Sequence, residues 1–239
     1  ARGKRGVGEV SRTAFAVPRG SLDHWATRLG SSAATQVAKD TYFGAPRLTF
    51  SGPDGDDFAL IEVQDDRTPW TEGGIDPDLA VRGFHSASMR LADDGATAEV
   101  LRFMGYEVGE KDGASQRFVM PDGNGADSID IETIPGAQAA RQGAGSVHHI
   151  AFAVEDRAAQ LEVRKALLDT GHQVTPVIDR DYFWAIYFRT PGGVLFEVAT
   201  NEPGFDVDED TAHLGEALKL PDQHAHLRER LEATLEPID

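Results

Sequence analysis

The chain has 239 residues, enough to bury a core spread over one or two domains. Its formal net charge of -17 and pI near 4.8 argue against a nucleic-acid or anionic-membrane partner, because phosphates would be repelled, and favour a small organic substrate. The absence of cysteine excludes disulfides and thiolate-bound metals, so any metal must use His and carboxylate ligands. No apolar run approaches the roughly 18 residues that span a bilayer, so the prediction is a cytoplasmic protein.

One pattern occurs three times along the chain, at a period of about sixty to seventy residues. Each copy begins with alternating apolar and polar residues, as expected for a half-buried strand. A helix candidate follows, and a Gly-, Pro- or Asp-rich turn then leads into a closing strand. The predicted opening strands are Val10–Val17, Gly83–Leu91 and Val147–Val154, the helices are Ser21–Leu29, Thr97–Met104 and Ala158–Leu168, and the closing strands are Phe58–Val63, Ser128–Thr133 and Val194–Thr200.

This order predicts an α+β fold of repeated βαβββ modules, in which each curved sheet forms a half-barrel covered on one side by its helix. Two half-barrels normally close one cup, so three copies leave a sheet edge unpaired. We therefore expect either a fourth copy that is absent from this chain or a second subunit in a homo-oligomer. The predicted domains are residues 1–80 (a module with an acidic linker at 64–80), residues 81–144 (a module), residues 145–205 (the metal-bearing module) and residues 206–239 (a helical tail, interpreted as a packing arm).

The closing strand of the third copy carries Glu197 among apolar residues, where a carboxylate is costly unless it is paired or bound to a cation. The sequence leaves open whether Glu197 is a ligand or lies on a solvated face. If Pro191–Gly193 form a three-residue loop, Thr190 pairs with Val194, and Tyr187 then lies opposite Glu197 on one face of the hairpin.

A histidine pair, His148 and His149, occurs in the predicted opening strand of the same copy. Adjacent strand residues point to opposite faces, so only one of them can share a face with Glu197 unless the strand bends. Two His and one carboxylate are the ligands of non-haem Fe(II) oxygenases. The second copy has His85 where the third has His149, which makes His85, His149 and Glu197 a candidate internal triad if these two copies close one cup. The first copy has Arg12 there, which cannot bind a metal.

The segments VHHIAFAV and TPVIDRDYFWAIYFRTPGGVLFEVATNEPGF resemble the hydroquinone-type ring-cleaving dioxygenases, a branch of the glyoxalase, bleomycin-resistance and extradiol dioxygenase (vicinal oxygen chelate) superfamily. The similarity is dense over Gly145 to Phe205. RGFHS and GEALKLP also resemble this branch, which extends the similarity to nearly the whole chain.

The resemblance implies an Fe(II) enzyme that cleaves a hydroquinone- or catechol-type ring with O2, with Mn or Zn able to replace iron in a crystal. It implies that His149 and Glu197 bind the metal, and that His148, Arg180 and Tyr187 surround it as catalytic residues. Members of the family have four modules, and the first of these pairs with the last. The resemblance therefore places the third ligand in a module with no counterpart here, so that this chain alone would bind metal poorly, and it assigns His85 to a second, degenerate cup.

Two alternatives remain at this point. A glyoxalase-like isomerase or lyase that binds Zn or Ni would need a second carboxylate, for which the other closing strands offer Glu62 and Glu132. A metal-free binding protein of the bleomycin-resistance type would hold its ligand without chemistry, and it has no need for His149, Glu197 and Tyr187 together.

Overall fold

A computed structural model describes residues 1–71 and 74–236. It divides into two compact units, which are described separately: unit 1 comprises Ala1–Ile150 with Arg189–Phe196, and unit 2 comprises Ala151–Phe188 with Glu197–Asp239. The predicted linker and tail include residues 72–73 and 237–239, which lie outside the described residues.

Unit 1 contains the strand, helix and three-strand order twice, within one eight-stranded sheet of order β2-β3-β4-β1-β5-β8-β7-β6. The fold class is therefore the predicted α+β class of repeated modules. The first run is β1 (Glu9–Val17), α1 (Leu22–Gly30), β2 (Thr35–Tyr42), β3 (Ala45–Ser51) and β4 (Asp57–Glu62), and the second is β5 (Gly83–Leu91), α2 (Gly95–Phe103), β6 (Glu107–Asp112), β7 (Ser115–Val119) and β8 (Ser128–Thr133).

The two runs join through antiparallel pairing of β1 with β5, in which Thr13 lies opposite Ala87. The other side of β5 pairs in parallel with β8, so both hydrogen-bonding edges of β5 are occupied. The second copy therefore shares its sheet with the first. The hypothesis that the second and third copies close one cup is wrong, because β5 has no edge left for another strand.

Alternation along the strands separates two faces of the sheet in unit 1. Val17 packs with Leu22 and Trp25 of α1, and burial of each such side chain contributes about 1.5–3 kcal/mol. Ala14 points the other way and packs with Ala59 and Ile61. The helix α1 is thus fixed on one face, and a second, smaller apolar cluster lies on the other.

The third copy has the same order, with strands arranged β10-β11-β12-β9 in a four-stranded sheet. Asp156 caps its helix by accepting a hydrogen bond from the Ala159 N–H (2.8 Å). The buried Gln160 amide holds this helix to the sheet by donating to the carbonyls of Trp184 (2.7 Å) and Val198 (2.8 Å). The elements are β9 (Ile150–Val154), α3 (Arg157–Asp169), β10 (Ile178–Asp179), β11 (Phe183–Arg189) and β12 (Leu195–Pro203).

The tail after β12 has 3₁₀ turns at Phe205–Val207, Thr211–His213 and Asp222–Leu227, followed by α4 (Arg228–Thr234). The helix predicted from the Leu227, Leu231 and Leu235 stripe is present, but α4 buries no residue. The contact of the tail with the third copy lies at its start, where the ring of Phe205 stacks on that of Tyr182 with 5.3 Å between the ring centres. No helix in the described ranges is long and apolar enough to cross a membrane.

Candidate active site

The hairpin of β11 and β12 has the register expected from its sequence. The Thr190 N–H donates to the Val194 carbonyl (2.9 Å), and the Gly193 N–H donates to the Thr190 carbonyl (2.8 Å). Two-fold alternation from this turn places the side chains of Tyr187 and Glu197 on one face.

Glu197 is a buried carboxylate, with 3% of its surface exposed, between the buried Phe196 and Val198. The Tyr187 hydroxyl is hydrogen-bonded to Glu197. Burial raises the pKa of Tyr187, the Arg180 hydrogen bond lowers this pKa, and the Glu197 hydrogen bond raises it again. Tyr187 is therefore held as a neutral hydroxyl that donates to the carboxylate.

Arg180 reaches the same cluster from the turn between β10 and β11. Its Nη2 donates to Tyr187 Oη (3.4 Å), and its guanidinium carbon lies 5.6 Å from the centre of the Tyr187 ring. The turn is fixed because the Asp181 N–H donates to Asp179 Oδ1 (2.9 Å). Unit 2 thus brings together Arg180, Tyr187 and Glu197. Consecutive hydrogen bonds link the guanidinium to the phenol and the phenol to the buried carboxylate.

The histidine pair lies in unit 1, immediately before β9, which begins at Ile150. The predicted strand started at Val147, so the argument that the two side chains point to opposite faces does not apply. The rings of His148 and His149 meet edge to face, with Nδ1 to Nδ1 at 2.8 Å. Gln142 Nε2 fixes this segment by donating to the carbonyl of His148 (2.8 Å).

His85 lies in β5, where its Nδ1 contacts Ser86 Oγ at 3.0 Å. Burial, Arg117 and Arg67 together lower the pKa of His85 to about 4. Two nearby guanidinium groups also disfavour a metal cation at this position. Over residues 1–71 and 74–236, no three His, Asp or Glu side chains form a group that could hold a metal, so the internal triad of His85, His149 and Glu197 is not assembled.

The shifted pKa of His85 predicts a pH dependence of stability. A histidine whose pKa is lowered on folding favours the unfolded state as pH falls from about 6.5 through about 4, because the unfolded chain then binds the extra proton. We expect a loss on the order of 2–3 kcal/mol over this interval, measured as urea unfolding free energy against pH. His85→Gln should flatten the profile, whereas His226→Gln, at an exposed position, should leave its slope unchanged.

The two candidates for the second carboxylate of a glyoxalase-like site, Glu62 and Glu132, already make hydrogen bonds within unit 1. Glu62 Oε1 accepts from the Leu22 N–H (3.1 Å) and so satisfies the first turn of α1. Glu132 Oε2 accepts from Arg90 Nε (2.9 Å). These contacts assign both carboxylates a structural role and weaken the isomerase or lyase alternative.

Sequence reasoning missed a buried ion pair in the second copy. Asp130 is fully buried in β8, and its two carboxylate oxygens accept from Arg117 Nε (2.7 Å) and Nη2 (2.9 Å). Aligning the closing strands could have found it, because Ser128-Ile-Asp130 matches Leu195-Phe-Glu197 position by position. The second copy therefore has a buried carboxylate in the same place, neutralised by a guanidinium.

The family follows from comparison with known proteins. Residues 20–198 match the Glyoxalase/Bleomycin resistance protein/Dioxygenase superfamily. The chain belongs to this superfamily, as its repeated βαβββ order and curved sheets indicate.

Similar proteins carry ring-cleavage names. A protein of Bacillus subtilis (strain 168), provisionally named ring-cleaving dioxygenase MhqO, is 36% identical over 100% of this chain and 76% of its own length. The chlorohydroquinone/hydroquinone 1,2-dioxygenase of Sphingobium indicum is 34% identical over 99% of this chain and 76% of its own. A crystal structure of a provisionally assigned dioxygenase from Bacillus subtilis subsp. subtilis str. 168 superposes with a TM-score of 0.92, at 36% identity, over 99% of this chain and 76% of that one.

Proposed function

We propose that this protein is an Fe(II)-dependent dioxygenase that cleaves a hydroquinone- or catechol-type ring with O2, and that His149 and Glu197 are two of its metal ligands. The observation that carries the proposal is the buried carboxylate of Glu197, which accepts a hydrogen bond from the Tyr187 hydroxyl. A carboxylate taken out of water is stabilised by hydrogen-bond donors and by a cation such as a metal ion. The ring-cleavage names of the relatives support the same reaction class.

The donor types fit iron. Imidazole with carboxylate suits Fe(II), and the chain has no cysteine to favour a thiolate metal. The described residues hold no group of three possible metal ligands. We therefore expect the third ligand to come from another polypeptide segment. A second copy in a homo-oligomer, or additional sequence, would supply it.

Bound Fe(II) would supply the centre at which the diol and O2 meet and through which electrons pass from ring to oxygen. The surrounding residues orient the Glu197 carboxylate and stabilise negative charge on the substrate. Tyr187 holds the Glu197 carboxylate in one orientation through its hydrogen bond. Arg180, exposed beside Tyr187, is placed to attract the phenolate of an ionised diol and to stabilise negative charge that develops during cleavage.

The histidine pair can divide two tasks. The Nδ1 contact engages one ring nitrogen of each histidine, so metal binding by His149 would use Nε2. His148 then supports His149 from the outer side, as partners of metal-bound histidines commonly do. Its imidazole can also accept the proton of the diol and return it to the product.

The test is anaerobic loading with Fe(II), followed by O2 uptake with hydroquinone and with catechol. It is carried out on this chain and on a version with N-terminal sequence added. We expect iron binding and substrate-dependent O2 uptake in the version with a complete ligand set, and the loss of both in His149→Ala. Iron content and O2 uptake that are the same in His149→Ala as in the unchanged protein would refute the proposal.

Tyr187→Phe is expected to weaken Fe(II) affinity by roughly 10-fold, because the carboxylate loses the donor that orients it. The fold should be retained, since the ring is preserved and only a hydroxyl is removed. Anaerobic Fe(II) titration measures the effect. Tyr182→Phe is the matched control, because Tyr182 is a partly exposed phenol bonded to Asp208 outside this cluster (3.4 Å). Equal affinities in both variants would contradict an orienting role for Tyr187.

A further inference from the structure

The first copy carries an arginine, Arg12, where the third copy carries His149. Arg12 shares its strand face with Ala14, which packs with Ala59 and Ile61 on the side of the sheet opposite α1. The same alternation places Arg47 of β3 and Asp57 of β4 on this face. A position that bears a metal-binding side chain in one copy thus bears a fixed cation in another.

The side chain of Arg12 is half-buried, and its Nε is fully shielded from solvent with no hydrogen-bond partner in residues 1–71 and 74–236. Guanidinium groups have five N–H donors, and a shielded donor without a partner costs about 1–3 kcal/mol. Such a group in a folded protein calls for an acceptor, which an ordered water, an ion or a ligand can supply.

The nearest carboxylates are already engaged by other cations. Both oxygens of Asp40 accept from Arg47, at 2.8 and 2.7 Å. Asp57 Oδ2 pairs with Arg5 (2.8 Å), and its Oδ1 accepts from Ser51 Oγ (2.6 Å). Arg12 is therefore the one arginine of this face, within the described ranges, that has no carboxylate of its own.

The charges around Arg12 act on its guanidinium in both directions. Burial lowers the pKa of Arg12, and the neighbouring Arg47 lowers it further, while Asp57, Asp40 and Tyr42 act in the opposite direction. An added negative charge would be attracted by both guanidinium groups. A dianion would leave one of its two charges without a counter-charge in this half-buried site, where the loss of its hydration is costly.

We propose that Arg12 and Arg47 form a binding site for a small monocarboxylate on the face of the unit 1 sheet opposite α1. A planar carboxylate matches the fork of a guanidinium and supplies acceptors for its unpartnered donors. One negative charge neutralises the one unpaired arginine. The site lies wholly in unit 1 and is independent of the proposed iron ligands.

The test is calorimetric titration of the full chain with benzoate, with acetate as the smallest carboxylate and sulfate as the dianion, all at constant ionic strength in chloride. We expect benzoate and acetate to bind and sulfate to bind at least tenfold more weakly. Arg12→Gln should weaken benzoate binding by at least tenfold, and Arg12→Lys should weaken it less. Arg19→Gln is the matched control, because it removes an exposed arginine just beyond β1 with the same change in charge.

An NMR measurement on the unchanged chain avoids dependence on the folding of the variants. The Nε–H signal of Arg12, identified by its loss in Arg12→Lys, should shift on addition of benzoate and not of sodium chloride. Benzoate binding of equal strength in Arg12→Gln and Arg19→Gln, or an Arg12 signal that does not move at saturating benzoate, would overturn the proposal. A response to sulfate as strong as to benzoate would equally overturn the assignment to a monocarboxylate.

Discussion

Glu197→Gln is expected to reduce Fe(II) affinity by at least about 100-fold, more than the loss of an outer partner of a metal ligand would cause. The amide has the shape of the carboxylate and can still accept the Tyr187 hydrogen bond, but it carries no negative charge to hold the metal. Anaerobic equilibrium dialysis against Fe(II), followed by iron analysis, measures the change. It is carried out on whichever form of the protein binds iron in the loading experiment.

The control is Glu155→Gln, which removes the same charge from an exposed position at the end of β9. Its iron affinity should equal that of the unchanged protein. The fold of Glu197→Gln should be kept or become more stable without metal, because an ionised group leaves a buried site. Iron affinity that is equal in the two variants would instead make Glu197 a purely structural carboxylate.

Local patterns in the sequence predicted the repeated elements well. The structure confirms β5 at Gly83–Leu91 and β8 at Ser128–Thr133 with the predicted bounds, since alternation and flanking turn residues act over a few residues. The predicted start of the opening strand in the third copy was wrong. Alternation continues through Val147 to His149, but strand structure begins only at Ile150, because side-chain pattern does not reveal where a ladder partner begins.

In the candidate site, too, local sequence predicts the short-range contacts and fails for those set by long-range pairing. The contact between Tyr187 and Glu197 could be predicted because a three-residue loop fixes the register of its own hairpin. The role of His85 could not be derived from periodicity, since it depends on which copies share a sheet, and that is decided by the long-range pairing of β1 with β5. The resemblance to four-module dioxygenases did assign His85 away from the metal. The contact of Arg117 with Asp130 was also missed, because a charged residue in a strand looks the same in sequence whether it is solvated or buried in a pair.

Asp130→Ala is expected to destabilise unit 1 by about 3–5 kcal/mol, because it leaves the Arg117 guanidinium largely buried without its carboxylate. Burial raises the pKa of Asp130, and the Arg117 hydrogen bonds pull it back down, so that the pair balances a large desolvation cost against a strong contact. Urea unfolding measures the change. A Trp184→Phe background leaves Trp25 and Trp70, both in unit 1, as the reporters.

Removing both partners separates the ion pair from the packing around it. Arg117→Met with Asp130→Leu should recover much of the stability lost in Asp130→Ala, because no unpaired charge then stays buried. Asp23→Ala, which breaks the exposed pair with Lys39, should shift the midpoint little. If Asp130→Ala unfolded at the same urea concentration as Asp23→Ala, the Arg117–Asp130 pair would contribute no more than a surface contact. In that case, neutralisation by the Arg117 guanidinium would not explain why the second copy keeps a buried carboxylate.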